Sequence, residues 1–270
     1  MQYDPIKRSL GKVFNYGLWT RKLLYRLLDL ILLRSWYISR EIKKWLVSTK
    51  DKDKIYILDA GSGFGQYTYF LQSVNKRALI TGIDVKQEQI DDCNNFFSRC
   101  GIKNVKFELG DLTTYAPQNN FDFILCVDVM EHIEDDISVF NNFGKMMNKG
   151  GLLLISTPSD LGGSDVHHED DESFIDEHVR EGYNKDDITQ KLMNAGFSKV
   201  NTMYSYGKYG KMAWKLSMKI PITCLNMSKI FFLFLPFYYV FVFPVAYILN
   251  SLDVRQHNIT GTGLIVKAVK

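Results

Sequence analysis

The stretch "ILDAGSGFGQ" (residues 57–66) joins a short apolar run to three glycines at alternate positions. The apolar run is typical of a buried strand, and "GQYTYFLQSVN" (65–75) continues as a helix. Glycine lets a backbone turn approach a ligand without a Cβ clash. The spacing D-x-G-x-G-x-G differs from the dinucleotide fingerprint G-x-G-x-x-G, because Gln66 stands where its third glycine would fall. The stretch therefore predicts a ligand-binding strand–turn–helix unit, with a ligand-free glycine turn as the alternative.

The same alternation of strand and helix continues along the chain. Predicted strands lie at 55–60, 78–84, 105–111, 121–129 and 152–158, and predicted helices at 65–75, 86–101 and within 136–151. Strands with nearly continuous apolar cores, separated by helices, indicate a parallel sheet covered on both faces. The fold class is therefore α/β.

Acidic residues follow several of these strands. Asp84 stands roughly 20 residues after the glycine turn, where a carboxylate can accept from both hydroxyls of a ribose; a helix cap is its alternative role. Asp111 follows the third strand, where it could accept from an adenine amino group, and Asp128 ends the fourth. All of them fall at the carboxyl ends of parallel strands, the edge at which open α/β sheets bind ligands.

The segments "ILDAGSGFG", "GID", "GDL", "FDFILCVDVMEHI" and "NKGGLLLISTP" resemble successive motifs of the class I S-adenosylmethionine-dependent methyltransferases, among them small-molecule enzymes of the quinone-pathway type. The resemblance covers roughly residues 52–206 and a last strand near 262–269. It implies a Rossmann-like, doubly wound, seven-stranded sheet whose last strand is antiparallel, with 197–206 and 261–269 as the closing hairpin.

The resemblance also implies S-adenosyl-L-methionine as cofactor. The glycines would border its methionine part, Asp84 would hold the ribose, and Asp111 with Leu112 would hold the adenine. The full set of expected cofactor-binding residues is Asp59, Gly61, Gly63, Gly65, Asp84, Val85, Asp111, Leu112 and Asp128.

Methyl transfer to an oxygen needs a base, and histidine is the usual base near neutral pH. The candidates are His132 in "DVMEHI" and His167 with His168 in "SDVHHEDDE". A helix cap is the alternative for His132, and an acidic surface loop for the other two. In "EHVREGY", three further side chains could contact the acceptor or simply begin a helix: His178, Arg180 and Tyr183.

Asp128, Glu131 and His132 have the spacing i, i+3, i+4, which places them on one face of a helical turn. Quinone O-methyltransferases use a similar E-x-x-E-H string to bind a divalent cation. The same D-x-x-E-H string is common in relatives that bind no metal, so a divalent metal stays open and is not favoured.

Both ends of the chain are basic and its middle is acidic. Residues 1–50 hold 11 Lys/Arg against 3 Asp/Glu, 51–206 hold 14 against 26, and 207–270 hold 8 against 1. The stretch 18–46 combines an apolar stripe with arginines, lysines and tryptophans. Such a pattern is typical of an amphipathic helix lying in a membrane interface, and the alternative is a helix that covers the cofactor cleft.

The run "KIFFLFLPFYYVFVFPVAYILNSLD" (229–253) has no formal charge between its first and last residues. Its length suffices to cross a bilayer. A single crossing would separate the last strand from its partner, so the run must leave and return on one side. Pro236 and Pro244 favour a bent or re-entrant hairpin. Five lysines between residues 208 and 229 lead into the apolar run, which favours an anionic membrane surface. Burial against the N-terminal helix or in a dimer is the alternative.

We divide the chain into a basic amphipathic helical segment (1–50), a cofactor-binding domain (51–206), an apolar helical insertion (207–260) and a last strand (261–270). The composition and the absence of a C-x-x-C spacing or an N-terminal apolar signal favour a cytoplasmic protein, peripheral on the inner face of the membrane. Nucleic acid is not expected, because long aliphatic runs interrupt the basic ends.

The expected function is methyl transfer from S-adenosyl-L-methionine to a small lipophilic acceptor at the membrane surface, with O-methylation favoured. One alternative is a soluble dimeric methyltransferase that acts on a polar small molecule. Another is a non-catalytic membrane adaptor that retains the fold.

Overall fold

A computed structural model describes residues 17–49, 52–162 and 179–270. Its centre is a seven-stranded sheet in the order β3-β2-β1-β4-β5-β7-β6. The strands are β1 (Tyr56–Ala60), β2 (Leu79–Asp84), β3 (Val105–Leu109), β4 (Phe121–Val127), β5 (Met147–Pro158), β6 (Lys199–Ser205) and β7 (Gly263–Val269). The first five strands are parallel, and β7 is antiparallel to both β5 and β6. The structure confirms the predicted sheet and its antiparallel last strand.

Helices cover both faces of this sheet and form the insertion. They are α1 (Leu18–Ile31), α2 (Leu33–Ser48), α3 (Gln66–Val74), α4 (Gln87–Arg99), α5 (Asp136–Met146), α6 (Lys185–Asn194), α7 (Lys208–Trp214), α8 (Ile220–Met227) and α9 (Leu235–Arg255). Short 3₁₀ turns span Met130–His132 and Lys229–Leu233, and a π turn spans Lys215–Lys219. The strand β5 starts five residues earlier than predicted, because the turn at Gly150 lies within it.

Alternate residues of the parallel strands enter two different cores. On one face, Leu58 and Ile124 pack with buried side chains of α5 and α6. On the other face, Ile57 and Phe123 pack against α2. The alternation follows from the two-residue period of a strand, which points neighbouring side chains to opposite faces. Both faces of the sheet are therefore covered.

The N-terminal basic stretch forms two helices and not one, because the backbone at Leu32 is extended. Helix α2 buries seven of its 16 residues, among them Tyr37, Ile38, Ile42 and Trp45. This burial shows that one side of α2 packs in the core. The apolar residues of α2 pack in the core, and a helix that binds lipid would have apolar residues at the same spacing.

Helix α1 covers the glycine turn. Arg21 is buried, and its guanidinium donates to Asp92 of α4 at 2.6 Å and to the backbone oxygen of Phe64 at 2.8 Å. The hydroxyl of Tyr25 donates to the same oxygen at 2.5 Å. These contacts support the alternative in which the N-terminal segment closes over the cofactor cleft.

The insertion between β6 and β7 is a helical hairpin. The chain leaves along α7 and α8 and returns along α9, where the hydroxyls of Tyr238 and Tyr239 donate to backbone oxygens of Leu216 and Ser217 at 2.7 and 2.6 Å. Ser205, the last residue of β6, pairs with Gly263, which pairs with Pro158 at the carboxyl end of β5. The hairpin therefore leaves and returns at the edge of the sheet that carries the predicted site.

Helix α9 continues through Pro244, so the predicted bend falls at the 3₁₀ turn that precedes the helix. By length and composition alone, α9 is the one helix among the described residues that could cross a membrane. Only 11% of its most apolar 18-residue window is buried. Because a core helix of this composition would be mostly buried, α9 presents an apolar surface that the rest of the described chain leaves uncovered.

Candidate functional site

The glycine turn after β1 has a backbone that other residues adopt poorly. Gly61, Gly63 and Gly65 have φ angles of 77°, 52° and 82°. A Cβ added to Gly61 would lie 2.2 Å from a methyl carbon of Val129. Positive φ and close approach both favour glycine. The turn therefore presents bare backbone at the carboxyl edge of the sheet.

Asp84 at the end of β2 is joined to this turn. The backbone N–H of Gly63 donates to Asp84 Oδ2 at 2.9 Å, and that of Lys86 donates to Oδ1 at 3.0 Å. The backbone N–H groups of Gly61 and Ser62 both donate to Ile83 O at 2.8 Å. The carboxylate is half-buried, and Val85 beside it is 65% exposed. The turn and this carboxylate thus form one fixed unit that faces the cleft.

Asp59 lies beneath the turn and does not face the open cleft. Its side chain is buried and accepts from Thr68 Oγ1 at 2.5 Å. Burial raises the pKa of Asp59 to about 6. The hydrogen bond from Thr68 anchors the first turn of α3 beneath the glycines. Asp59, predicted to bind the cofactor, therefore supports the turn from below.

Asp111 and Leu112 follow β3 with opposite exposures. The Asp111 carboxylate is exposed and accepts from the backbone N–H and the hydroxyl of Thr113 at 2.8 and 2.7 Å, contacts that lower its pKa. Leu112 is buried, and its backbone oxygen accepts from Asn142 of α5 at 2.9 Å. Asp111 therefore shapes the loop at the cleft margin through one oxygen, and none of the described residues donates to the other.

Asp128 follows β4 with a φ of 51°, and its N–H donates to Ser156 of β5 at 2.8 Å. Its carboxylate forms an ion pair with Arg34 from the first turn of α2. Although burial acts to lower the pKa of Arg34, the charge of Asp128 raises it. The pair joins the N-terminal helices to the cleft.

The basic pattern of residues 18–46 does not distinguish Arg34 from the other arginines and lysines of that stretch. The position of Arg34 in the sequence nevertheless indicates that it has an acidic partner. Arg34 lies three and four residues before the buried Tyr37 and Ile38, so it stands beside the core-facing stripe of α2. A charged residue on a core-facing stripe requires a partner, and that requirement points to an acidic residue across the cleft.

Two tyrosines adjoin Arg34 in the cleft. The backbone N–H of Arg34 donates to the hydroxyl of Tyr206 at 3.2 Å, and Tyr206 has a φ of 55°. The hydroxyls of Tyr67 and Ser35 lie 3.2 Å apart. Burial raises the pKa of Tyr206 to about 12, and it also raises the pKa of Tyr67. Both phenols therefore stay protonated near neutral pH and can act as hydrogen-bond donors.

Glu131 and His132 point in different directions. Glu131 is 2% exposed and accepts from Thr157 Oγ1 at 3.1 Å. Burial and the charge of Asp128 raise the pKa of Glu131 to about 8. The side chain of His132 is exposed. Asp128, Glu131 and His132 therefore do not converge, and the described residues hold no cluster of three or more potential metal ligands.

The remaining candidates divide into two groups. His167, His168 and His178 lie outside the described residues. Arg180 and Tyr183 both contact Asp136 Oδ2, at 2.5 and 2.8 Å. These two side chains hold the chain before α6 against α5, so their contacts are structural.

The chain is similar in sequence to several known methyltransferases. A family model described as "Methyltransferase domain" matches residues 51–207. The (S)-coclaurine N-methyltransferase of Papaver somniferum is 31% identical over 104 residues, which are 38% of this chain and 30% of that protein. A ubiquinone biosynthesis O-methyltransferase of Coxiella burnetii is 27% identical over 103 residues, 38% of this chain and 43% of that protein.

Among solved structures, the phosphoethanolamine N-methyltransferase 2 of Haemonchus contortus in complex with S-adenosyl-L-methionine has a TM-score of 0.57 at 17% identity. The match covers 84% of this chain and 52% of that one. At this identity the likeness concerns the fold. The matched region spans less than two thirds of each of these relatives.

Proposed function

The chain belongs to the methyltransferase-domain family, whose model matches residues 51–207, and we propose that it transfers the methyl group of S-adenosyl-L-methionine to a small acceptor. The observation that carries this proposal is the unit formed by the glycine turn and Asp84, joined by the 2.9 Å hydrogen bond from Gly63. The turn has no room for a side chain at Gly61. Such bare backbone beside a carboxylate fits a nucleoside whose ribose hydroxyls donate to the acid.

Each cleft residue has a proposed part in holding the cofactor. The glycines border the methionine moiety, Asp84 accepts from the ribose, and Asp111 with Leu112 lies beside the adenine. Asp59 supports the turn from below through Thr68. The bound sulfonium supplies an electrophilic methyl group, so the protein contributes chiefly alignment and exclusion of water.

The acceptor is proposed to bind between the Arg34–Asp128 pair and the glycine turn. An oxygen acceptor must lose its proton, and the base proposed for that step is His132, His167 or His168. The O-methyltransferase among the relatives supports an oxygen acceptor, whereas the N-methyltransferase is compatible with an amine. An amine attacks through a neutral lone pair and needs less help from a base.

Calorimetric titration with S-adenosylhomocysteine tests the cofactor half. We expect saturable binding that Asp84→Asn weakens about tenfold, because the amide replaces a charged acceptor by a weaker one. Asp91→Asn on the exposed side of α4 is the matched control and should bind like the unmodified protein. If S-adenosylhomocysteine does not bind to the unmodified protein, the proposal is wrong.

The acceptor is further proposed to be lipophilic and to reach the cleft from a membrane. We define the apolar face of α9 as Phe237, Val240, Phe241, Val245, Ile248 and Leu252. Each of them is at least 41% exposed. They recur every three or four residues and so form one stripe, roughly 22 Å long at about 1.5 Å per residue. Leu27 and Leu30 of α1 are also exposed.

Positive charge adjoins this apolar face. The lysines of the hairpin are Lys208, Lys211, Lys215, Lys219 and Lys229. An apolar face together with a basic group is the double signal that stable peripheral attachment requires. Since the hairpin joins the sheet at the carboxyl edge, a membrane bound to it would lie close to the cleft.

Flotation with vesicles of phosphatidylcholine and phosphatidylglycerol tests the membrane half. The protein should float with the anionic vesicles, and less with pure phosphatidylcholine.

The second candidate is a soluble dimer that acts on a polar acceptor, in which the apolar face of α9 packs against the same face of a second copy. The exposed apolar area of α9 favours a partner that covers this face. Sedimentation as a tight dimer that does not float would establish that candidate instead.

A further inference from the structure

Two carboxylates flank the glycine turn at the edge of the sheet. Strand β1 pairs with β2 on one side, where Asp84 stands at the strand end, and with β4 on the other, which Asp128 follows. Neighbouring strands lie about 4.8 Å apart. The loop after Asp128 packs on the turn itself, since a Cβ added to Gly61 would meet the side chain of Val129. A nucleoside whose ribose lies at Asp84 therefore extends across the glycines towards Asp128.

Arg34 and Asp128 present opposite charges on this side of the turn. They form an ion pair, and each side chain is 32% exposed, so a ligand in the cleft can reach both. A pair with this much exposure is stabilised only modestly, because water screens the attraction. A guanidinium has five N–H donors, more than Asp128 and the nearby hydroxyl of Tyr67 take up. The pair can therefore exchange its mutual contact for contacts with a ligand.

Two strained backbone positions converge on Arg34. Asp128 and Tyr206, with φ angles of 51° and 55°, are the non-glycine residues of positive φ in the described ranges. Asp128 contacts the guanidinium of Arg34, and the hydroxyl of Tyr206 accepts from its backbone N–H at 3.2 Å. Strain of this kind concentrates at ligand-binding sites, where the surrounding structure holds a group in place. The convergence indicates that Arg34 is held for a ligand.

The two charges of the pair fit a zwitterion. An anionic group alone would be attracted by Arg34 and repelled by Asp128, and a cationic group alone would meet the reverse. We propose that the pair binds the amino-acid end of S-adenosyl-L-methionine. Arg34 donates to its carboxylate and Asp128 accepts from its ammonium, in place of their contact with each other.

This assignment gives the N-terminal helices a part in recognising the cofactor. Arg34 lies outside residues 51–207, which the family model matches, so the contact is one that the domain itself does not supply. Asp84 and the ion pair then hold the two ends of the cofactor on opposite sides of the turn, with the sulfur between them. The inference rests on the proposed function for the identity of the cofactor.

Calorimetric titration with three ligands tests the two contacts separately. S-Adenosylhomocysteine carries both charges, its decarboxylated analogue ends in a propylamine, and its deaminated analogue ends in a butanoic acid. The unmodified protein should bind each analogue about tenfold more weakly than S-adenosylhomocysteine, because each lacks one charge-assisted hydrogen bond. Equal affinity for the three ligands overturns the proposal whatever the variants do.

Two variants assign each contact to its side chain. Arg34→Gln should lose the preference for S-adenosylhomocysteine over the decarboxylated analogue and keep the preference over the deaminated one. Asp128→Asn should show the converse. Arg26→Gln, at an exposed position of α1, removes the same charge as Arg34→Gln and should keep both preferences.

The decarboxylated analogue also reports on folding, because Arg34→Gln should bind it as the unmodified protein does. If Arg34→Gln binds no ligand, Asp128→Asn decides alone. A preference over the decarboxylated analogue that survives Arg34→Gln overturns the proposal, and so does a preference over the deaminated analogue that survives Asp128→Asn. Either result would leave the proposed function standing, provided that the unmodified protein binds S-adenosylhomocysteine.

Discussion

Helices α2 and α9 are both apolar on one side, yet the protein uses them in opposite ways. Helix α2 carries five charged residues among 16 and buries seven residues in the core. Helix α9 carries two charged residues among 21 and buries four. The more polar helix is the buried one. Hydrophobicity alone therefore does not decide burial; the position of a helix relative to the sheet does.

The charges of α2 explain how a polar helix can be buried. Arg34 pairs with Asp128, and the buried Glu41 accepts from Lys267 of β7 at 2.8 Å. Paired charges tolerate burial, whereas isolated ones do not. Helix α9 has no such partners along its apolar face, and its two charges stand near its C-terminal end, where Asp253 accepts from the hydroxyl of Tyr37 at 2.7 Å. Its buried end is fixed to α2 and its apolar face stays bare.

The largest expected difference between the two helices concerns stability. Ile42 of α2 is fully buried, and Ile248 of α9 is 60% exposed. Ile42→Ala should lower the free energy of unfolding by about 2–5 kcal/mol, because it leaves a cavity in the core. Ile248→Ala should change it by less than about 0.5 kcal/mol. Urea unfolding measures both, and equal losses would show that α9 is packed as tightly as α2.

For membrane binding we expect the reverse order, with substitutions in α9 having a larger effect than those in α2. Phe241 on α9 is 77% exposed, and Val47 on α2 is 64% exposed. Phe241→Glu should weaken binding to phosphatidylglycerol vesicles by about 2 kcal/mol or more, since it removes an apolar contact and adds a repelled charge. Val47→Glu adds the same charge away from the apolar face and should have little effect. Similar losses in the two variants would assign vesicle binding to net charge alone.

The contributions of Glu41 in α2 and of Glu131 in the cleft to the free energy of unfolding should depend on pH in opposite directions. Burial would raise the pKa of Glu41, but hydrogen bonds from Lys267 and Lys44 outweigh it and lower that pKa. Its stabilisation is thus present above the unfolded pKa of about 4.3 and is lost as pH falls through the folded pKa. Glu41→Gln should lower the free energy of unfolding by about 2 kcal/mol at pH 7, and by less in acid.

Glu131 provides the opposite sign. Its raised pKa of about 8 means that the folded protein holds a proton that the unfolded chain releases near pH 4. The free energy of unfolding should therefore fall as pH rises from the unfolded pKa to about 8, and Glu131→Gln should flatten this decline. Unfolding curves measured between these limits check both variants. A decline that persists unchanged in Glu131→Gln would assign it to another group, such as Asp59 with its pKa raised to about 6.

The fold was accessible from sequence because its signals are local. Strand and helix periods predict the sheet, and the spacing between the glycine turn and Asp84 predicts that they meet, as the 2.9 Å contact shows. Because β6 and β7 must pair, the insertion between them has to return to the edge of the sheet from which it leaves. Each of these inferences uses neighbouring residues or the pairing rules of a sheet.

The missed features depend on distant pairs. Arg34 and Asp128 are 94 residues apart, and no local pattern joins them. The burial of α2 depends on the exposed surface left by β1, β4 and β5, which the periodicity of α2 does not contain. An amphipathic stripe has the same spacing whether it meets a sheet or lipid. The pairing of Arg34 with Asp128 shows that this side of α2 meets the protein, and that pairing is not contained in the spacing of the stripe.

The smallest expected effect concerns the lysines beside the apolar face. Lys215 is exposed in the π turn of the hairpin, whereas Lys149 is exposed in β5 at the opposite edge of the sheet. Lys215→Gln should weaken binding to anionic vesicles by about 1 kcal/mol. Lys149→Gln makes the same change in net charge and should leave binding unaltered.

Salt distinguishes the two contributions that Phe241 and Lys215 represent. Raised ionic strength screens the attraction of the lysines for anionic lipid, so the difference between Lys215→Gln and the unmodified protein should shrink. Burial of the Phe241 ring in lipid is not electrostatic, so a substitution there without charge, Phe241→Ala, should keep its effect in the same salt. If the loss in Lys215→Gln persists at high salt, the lysine contributes through its alkyl chain, and the surface beside α9 binds lipid by apolar contact alone.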